Sequence, residues 1–456
     1  MDTGAVIRAL QQYFGLNPSD SKVLVVGLGS TGVSVTHYLH KLGFKFAVTD
    51  SRDKPPLLEQ FIQQIPDAPV FTGGFDEMAF QVATHLVVSP GLSLNEQAIT
   101  KAVAGGAKIV SDIDLFACSV TRPIVAITGS NGKSTVTTMV GEMVKAAGLR
   151  AAVGGNLGVP ALDLIEQHAD VNVIELSSFQ LERTTVLNAA AATVLNVSPD
   201  HLDRHADVAE YAREKQRVFN GNGAMVLNID DTIVNAMREF DRKTYTFSIK
   251  THADFYIAEQ AGGEHLMQGQ TPLMPLSALP LEGRHNAANA LAALALGTAI
   301  DLPTAAMCES LRKFKGLEHR MQKVAEIRGV AWVNDSKATN IGACIAALEG
   351  YARKVILIAG GDAKGADMNE LAPVIKQKTK AVVLMGKDGP LIGRVLKASN
   401  VPVYFVDNMV QAVQTAAKLA ETGDSVLLSP ACASLDQYKN YQDRGNKFTK
   451  AVLALV

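Results

Sequence analysis

The run Thr128-Gly-Ser-Asn-Gly-Lys-Ser-Thr135 carries the residue types with the plainest chemical use in this chain. Ahead of it, the β-branched stretch Ile124 to Ile127 reads as a buried strand; the chain breaks at Gly129, turns through Asn131-Gly132 and enters a helix at Lys133-Ser134-Thr135. A strand, glycine turn and helix in this order aim backbone N–H groups and a helix N-terminus at an anion. The lysine adds a point charge and a hydroxyl can hold Mg²⁺. Gly129, Asn131, Gly132, Lys133, Ser134 and Thr135 are thus candidate phosphate-binding residues. Only Ser130 and Asn131 separate the two glycines, whereas the common loop has four residues there. That spacing sets it apart from generic P-loop ATPases and GTPases.

Further candidates lie at the ends of neighbouring apolar runs. Glu175 closes the strand Val171-Asn-Val-Ile-Glu175, at the edge where α/β sheets gather ligands, and could complete Mg²⁺ coordination begun by Ser134. His201 follows the strand Ala191 to Val197; a lone histidine there is usually a loop residue, but Asp200 and Asp203 flank it at the same edge. Lys215 is odd by position. In the helix Asp207 to Phe219, Val208, Tyr211, Ala212, Val218 and Phe219 form an apolar stripe, and Lys215 occupies its missing i+7 place. Its stem either snorkels or the amine is desolvated and neutral, available for chemistry. Asn286 and Asn289, three apart near a helix start after Gly283, suit recognition of a base or ribose, with capping as the competing role.

The elements that must place these residues divide into three α/β units. Residues 1–111 open with the strand Val23-Leu-Val-Val26, the turn Gly27-Leu-Gly-Ser-Thr-Gly32, a helix, and the strand Phe46-Ala-Val-Thr-Asp50. This Rossmann-like βαβ unit places Asp50 where a ribose hydroxyl would sit, either of NAD or of another nucleotide. Residues 112–316 form a central mononucleotide-binding domain of P-loop type, with a β-rich stretch from Thr244 to Leu281. Residues 317–456 alternate again and predict a second Rossmann-like sheet. Three polar clusters end its strands, Asp335 to Asn340, Gly360 to Asp367 and Ser429 to Asp436, and together suggest a binding face.

Composition narrows the class of partner. The 456 residues are 47% apolar and 19% charged with a net charge of −2, which offers no electrostatic footprint for nucleic acid or an anionic membrane. Apolar runs fall well short of the ~20 residues of a membrane span, and Met1-Asp2-Thr-Gly shows no signal-peptide pattern. Four widely spaced cysteines argue against a zinc site or a disulfide framework. A reduced cytoplasm, and a monomer, are expected.

Three stretches taken together resemble the Mur ligase family of ATP-dependent amide-forming enzymes. They are the short phosphate loop, the pair Gly283-Arg-His-Asn286 and Leu317-Glu-His-Arg320, and Asn334-Asp-Ser-Lys-Ala-Thr-Asn340. The resemblance spans all three domains. The amino-terminal Gly-Leu-Gly-Ser-Thr-Gly and the run Ser429 to Gly445 are most similar to the branch that joins D-glutamate to UDP-N-acetylmuramoyl-L-alanine in peptidoglycan assembly. It implies that the first domain holds UDP and not NAD, through Ser30, Thr31, Asp50, Ser51, Arg52 and Gly91, with Asn156 and His201 also touching the sugar nucleotide. It further implies ATP at Lys133, Ser134, Thr135, Asn286, Asn289, Arg320 and Asp335. Two Mg²⁺ ions would be held by Ser134, Glu175, His201 and a carbamate on Lys215. D-glutamate would meet Lys337, Thr339, Lys364, Ser434 and Tyr441, the last by stacking or packing. A sister ligase or a folate-polyglutamylating enzyme is the nearest alternative. An ATP-driven conformational switch, or a dehydrogenase resting on Gly27, Gly29, Gly32 and Asp50, belongs to other classes.

Overall fold

The computed structural model describes residues 2–281, 283–397 and 399–455. The central strands of its three sheets are short apolar runs buried along their whole length, as strands covered by helices on both sides must be. In the first, β1 (Val23–Val26), β2 (Phe46–Asp50), β3 (Val70–Thr72), β4 (His85–Val88) and β5 (Lys108–Ile109) pair in the order β3-β2-β1-β4-β5. All are parallel, with Val26 opposite Thr49 and Val88.

The second sheet holds β6 (Ile124–Thr128), β7 (Ala151–Gly155), β8 (Val171–Glu175), β9 (Ala191–Val194), β10 (Ala224–Asn228) and β11 (Thr244–Ser248). To these are added β12 (Phe255–Gln260), β13 (Gly263–Gln268) and β14 (Thr271–Pro275), in the order β14-β13-β12-β11-β10-β9-β6-β8-β7. The expected β-rich stretch is therefore β11 to β14, of which the last three form antiparallel hairpins. β6 lies between β8 and β9, so the phosphate loop leaves the sheet flanked by the ends of both.

The third sheet runs β15-β16-β20-β17-β18-β19, built from Gln322–Ile327, Val330–Asn334, Val355–Gly360, Thr379–Met385, Val403–Phe405 and Ser425–Leu428 in chain order. The sequence reading did not anticipate β15. It is an antiparallel edge strand whose Gln-Lys-Val-Ala-Glu-Ile alternates only weakly and is buried nowhere along its length.

The domains are joined in two different ways. Helix Asp112–Ser119 starts at a capping box in which Ser111 and Asp114 exchange hydrogen bonds, and it buries Leu115 and Phe116 completely. One continuous apolar core runs from Val6 and Leu10 through Val25 and Phe116 to Ile174, Leu187 and Met237, fusing the first domain to the central one. The third domain has its own cores on the two faces of its sheet, around Leu357 and Leu427 and around Trp332 and Phe448. They share no buried residue with the cores of the rest.

Candidate active site

A cavity of about 480 Å³ lies where the phosphate loop, the ends of β8 and β9 and the third domain's first loops converge. Gly129 (φ 147°) and Gly132 (φ 86°) bend the loop through backbone conformations that a side chain would strain. A Cβ on residue 132 would also stand 2.4 Å from Asn289 Oδ1, so glycine there lets helix Arg284–Ala299 press against the loop. Asn196, just beyond β9, grips the loop: its Oδ1 accepts from Asn131 N at 2.8 Å and its Nδ2 donates to Asn131 O at 3.0 Å. Helix Lys133–Ala146 starts at Gly132 with no side-chain cap, which leaves its first N–H groups facing the cavity. Lys133 Nζ donates to Gly129 O (2.7 Å) and Ser130 O (2.9 Å), and burial lowers its pKa.

Glu175, the last residue of β8, is 2% exposed. Asn156 Nδ2 donates to its Oε1 at 2.7 Å, while Oε2 is buried with no partner among the described residues. Burial opposes its charge, yet Lys133 and Lys337 hold the carboxyl below the ordinary range. Lys215 is 1% exposed, on the helix Val208–Gln216. Snorkelling is excluded, because Nζ itself is inside: it donates to Gly129 O at 2.9 Å and sits 4.3 Å above the Tyr211 ring. Burial, with Lys133 adding repulsion, drives its pKa well below the usual lysine range. His201 adopts a left-handed backbone (φ 56°), at a cost of about 1–2 kcal/mol for a non-glycine residue. The turn is held by Asp200 Oδ1, which accepts His201 N, and by Arg204 N and His205 N, which donate to His201 O. Burial pushes the His201 pKa down to about 4, so the imidazole is neutral near pH 7.

The third domain reaches the cavity through polar side chains. Lys337 Nζ donates to Ser134 Oγ at 2.6 Å and lies 5.0 Å from the Tyr441 ring centre. Burial, and then Arg320, bring its pKa down to about 7. Asp200 accepts from Lys364 Nζ (2.7 Å) on one oxygen and from Asn340 Nδ2 (2.9 Å) on the other. Against the penalty of burial, His201, Lys364 and Asn340 pull its pKa to about 2. Arg444 is fully buried and donates to Ser336 Oγ and O and to Cys432 O. It thereby ties helix Tyr441–Leu453 to the loop that carries Asp335 and Lys337.

Asp335 accepts from Met321 N and Ser429 Oγ, and burial raises its pKa from 3.8 to about 7. The folded protein therefore holds a proton that the unfolded chain releases near pH 4. The associated stability is complete below that pH and is lost as pH rises through about 7. Asp335→Asn, which cannot ionise, should flatten the ligand-free melting temperature between pH 5 and pH 8 relative to wild type. Parallel pH profiles would refute this assignment.

Profiles of three Mur ligase domains match the chain in order: the MurD-like N-terminal domain over residues 21–111, the middle domain over 127–297 and the glutamate ligase domain over 319–432. The chain belongs to the Mur ligase family. A UDP-N-acetylmuramoylalanine–D-glutamate ligase of Methylococcus capsulatus is 54% identical over 437 residues, 95% of each chain. The protein of the same name from Nitrosococcus oceani is 49% identical, covering 94% of this chain and 96% of its own. Among solved structures, the UDP-N-acetylmuramate-alanine ligase of Thermotoga maritima superposes with TM-score 0.60 at 16% identity, covering 96% of this chain and all of that one. The folylpolyglutamate synthase of Mycobacterium tuberculosis gives 0.57 at 17%, covering 75% of this chain and 93% of its own. Those two likenesses speak for the fold alone.

In this Mur ligase the cavity gathers most of the expected central and third-domain residues: Lys133, Ser134, Thr135, Glu175, His201, Asn286, Asn289, Arg320, Asp335, Lys337, Thr339 and Tyr441. The two asparagines do not cap their helix, since its N-cap, Gly283, makes no side-chain bond; Asn289 Nδ2 instead donates to Asn286 Oδ1. Lys215, Lys364 and Ser434 do not line the cavity. Lys215 lies behind the phosphate loop, Lys364 reaches it through Asp200, and Ser434 is 3% exposed.

Of the first-domain candidates, Ser30 and Thr31 open helix Ser30–Lys41 after Gly29, which makes no side-chain cap. Asp50 is committed within the protein: its Oδ2 accepts from Leu28 N at 2.7 Å and both its oxygens pair with Arg52. It shapes the glycine turn and is nearly closed to solvent. Ser51 and Gly91 are exposed.

No three His, Cys, Asp or Glu residues stand together as a metal site among the described residues. The orphaned Glu175 Oε2 and the Ser134 hydroxyl nevertheless suit Mg²⁺, which commonly takes one or two protein ligands and completes its shell with water and substrate phosphates. The sequence reading missed Asn196, Asp200, Asn340 and Arg444 as site residues. Asn196 and Asp200 follow a strand at the ligand edge, a signal that was available; the contact of Asn340 with Asp200 depends on how two domains meet.

Proposed function

We propose that this chain joins D-glutamate to UDP-N-acetylmuramoyl-L-alanine with ATP, releasing ADP and phosphate, in the cytoplasmic assembly of peptidoglycan precursors. The observation that carries the reading is Lys337 Nζ on Ser134 Oγ: the loop read as binding the amino acid meets the first turn of the phosphate-binding helix. A free carboxylate is a poor acyl donor, so ATP first converts it to an acyl phosphate. That step presses one anion against another, and positioning with charge neutralisation dominates it. Lys133 moves from the carbonyls of Gly129 and Ser130 to the ATP phosphates, with Ser134 and Thr135 beside it, while Asn286, Asn289, Arg320 and Asp335 hold the rest of the nucleotide. Ser134 and Glu175 would hold one Mg²⁺, and His201 with carbamylated Lys215 a second; bound there, the ions neutralise phosphate charge.

The D-glutamate amine then attacks the acyl carbon, and the tetrahedral intermediate collapses to amide and phosphate. Lys337 and Lys364 face its carboxylates, with Thr339, Ser434 and Tyr441 around them. Ser30, Thr31, Asp50, Ser51, Arg52 and Gly91 hold the UDP end, and Asn156 and His201 the part of the substrate nearer the reaction. The 54% identity over nearly the whole chain favours this reading over a sister ligase.

Phosphate release with ATP, Mg²⁺ and UDP-N-acetylmuramoyl-L-alanine across a panel of D- and L-amino acids tests it. Release that depends on D-glutamate, with a product heavier by one glutamyl residue, is expected; dependence on another amino acid would overturn the assignment. Lys364→Ala should raise the KM for D-glutamate about tenfold to a hundredfold, the worth of one charged hydrogen bond, and leave that for ATP nearly unchanged. Equal rises in both would remove Lys364 from the amino-acid site.

A further inference from the structure

Two arginines of the central domain grip one loop of the first. Arg183, whose side chain is completely buried, donates from Nη1 to Val88 O (3.0 Å) and Ser89 O (2.8 Å), and from Nη2 to Leu92 O (3.2 Å). Arg204 donates to Gly91 O (3.3 Å) and to Leu92 O (3.0 Å). Five charged hydrogen bonds to four carbonyls of five consecutive residues are more than a surface loop needs to fold. They fix its position relative to the central sheet.

The loop in turn backs the glycine turn of the first domain. A Cβ on Gly27 would stand 2.8 Å from Ser89 Cβ and 3.2 Å from Leu92 Cδ1, so the two segments lie in direct contact just before Ser30 and Thr31. On its other side Arg204 connects to the active site. Its guanidinium lies 4.6 Å over the Phe179 ring, and that ring meets His201 edge-on at 4.9 Å and stacks on His205 at 5.4 Å with 9° between the planes. His201 is the residue of the strained turn that lines the cavity, and Arg204 N also donates to its carbonyl.

We infer that Arg204 and Phe179 are positioning residues for the sugar-nucleotide substrate. They set the distance between the first-domain turn that grips one end of that substrate and His201 at the end that reacts. Neither touches the reacting atoms. The inference rests on the reading that Ser30 and Thr31 lie at the diphosphate.

Arg204→Ala should raise the KM for UDP-N-acetylmuramoyl-L-alanine about tenfold while the KM for ATP and the melting temperature stay close to wild type. Arg204→Lys should rescue little, because a single ammonium nitrogen lacks the planar fork that sets two nitrogens on two carbonyls while its flat face lies on a ring. Phe179→Leu should raise the same KM, and adding it to Arg204→Ala should cause no further loss, because the two act in series. A change shared equally by both substrates, or no change, overturns the inference. Hydrogen exchange of the wild type separates that failure from a failure of the underlying reading. If UDP-N-acetylmuramoyl-L-alanine slows exchange across residues 27–33 and the Arg204 variant is normal, only the positioning role falls. If it gives no protection there, the first-domain assignment falls, and this inference with it.

Discussion

Replacing Lys215 with alanine or methionine should lower turnover about a thousandfold, several kcal/mol of lost charge stabilisation, while ATP still binds and the fold is kept. An amine that is 1% exposed beside Lys133 has its charged form disfavoured, and in its neutral form it can add CO₂ to give a carbamate and a proton. The product would be an anion placed behind the phosphate loop and within electrostatic reach of His201, Asp200 and Glu175. A carbamate oxygen is a hard ligand suited to Mg²⁺, which the ammonium form could only repel. Methionine fills most of the volume of the lysine stem, so a loss shared by both variants reports chemistry and not a packing defect. Wild-type activity should also fall in CO₂-depleted buffer and return with bicarbonate. Full turnover of Lys215→Ala at ordinary Mg²⁺ would end this account.

Lys133→Met should cost about a hundredfold to a thousandfold in kcat, the range found when one preorganised donor to developing charge is removed. Lys133 Nζ satisfies the carbonyls of Gly129 and Ser130. These bonds hold it within the loop, ready to exchange two carbonyls for phosphate oxygens without a search through rotamers. A variant with unchanged kcat and only a raised KM for ATP would show that Lys133 binds the ground state and transition state alike.

The sequence revealed some of this site more readily than the rest, for physical reasons. The phosphate loop was legible because a glycine turn with Lys-Ser-Thr leaves few alternatives. Lys215 stood out because a charge on an apolar helical stripe breaks a period of 3.6, and its burial follows that pattern. Asp50 stands where the fingerprint puts it, while the bonds from Leu28 N and Arg52 that fix its carboxylate have no signature in spacing. Strand β15 was missed because a half-covered edge strand needs no apolar alternation. The pairing of Asp200 with Lys364, 164 residues on, has no local signature at all. It exists only once the third domain sits on the second, and relative domain placement is not written in periodicity.

The apolar core shared by the first and central domains bears on how the chain comes apart. A core that runs without interruption from Val6 to Met237 cannot be opened at residue 112 without exposing Leu115 and Phe116, both fully buried. The third domain, with separate cores and polar attachments, has no such tie. The protein should therefore melt as two cooperative units and not three, and a protease acting on the native state should cut first near the start of the third domain. A fragment that ends near residue 316 should stay folded, whereas residues 1–111 alone should expose the face that Leu115 and Phe116 cover and aggregate. Three lobes in architecture are thus two bodies in mechanics, and the hinge that matters is the second.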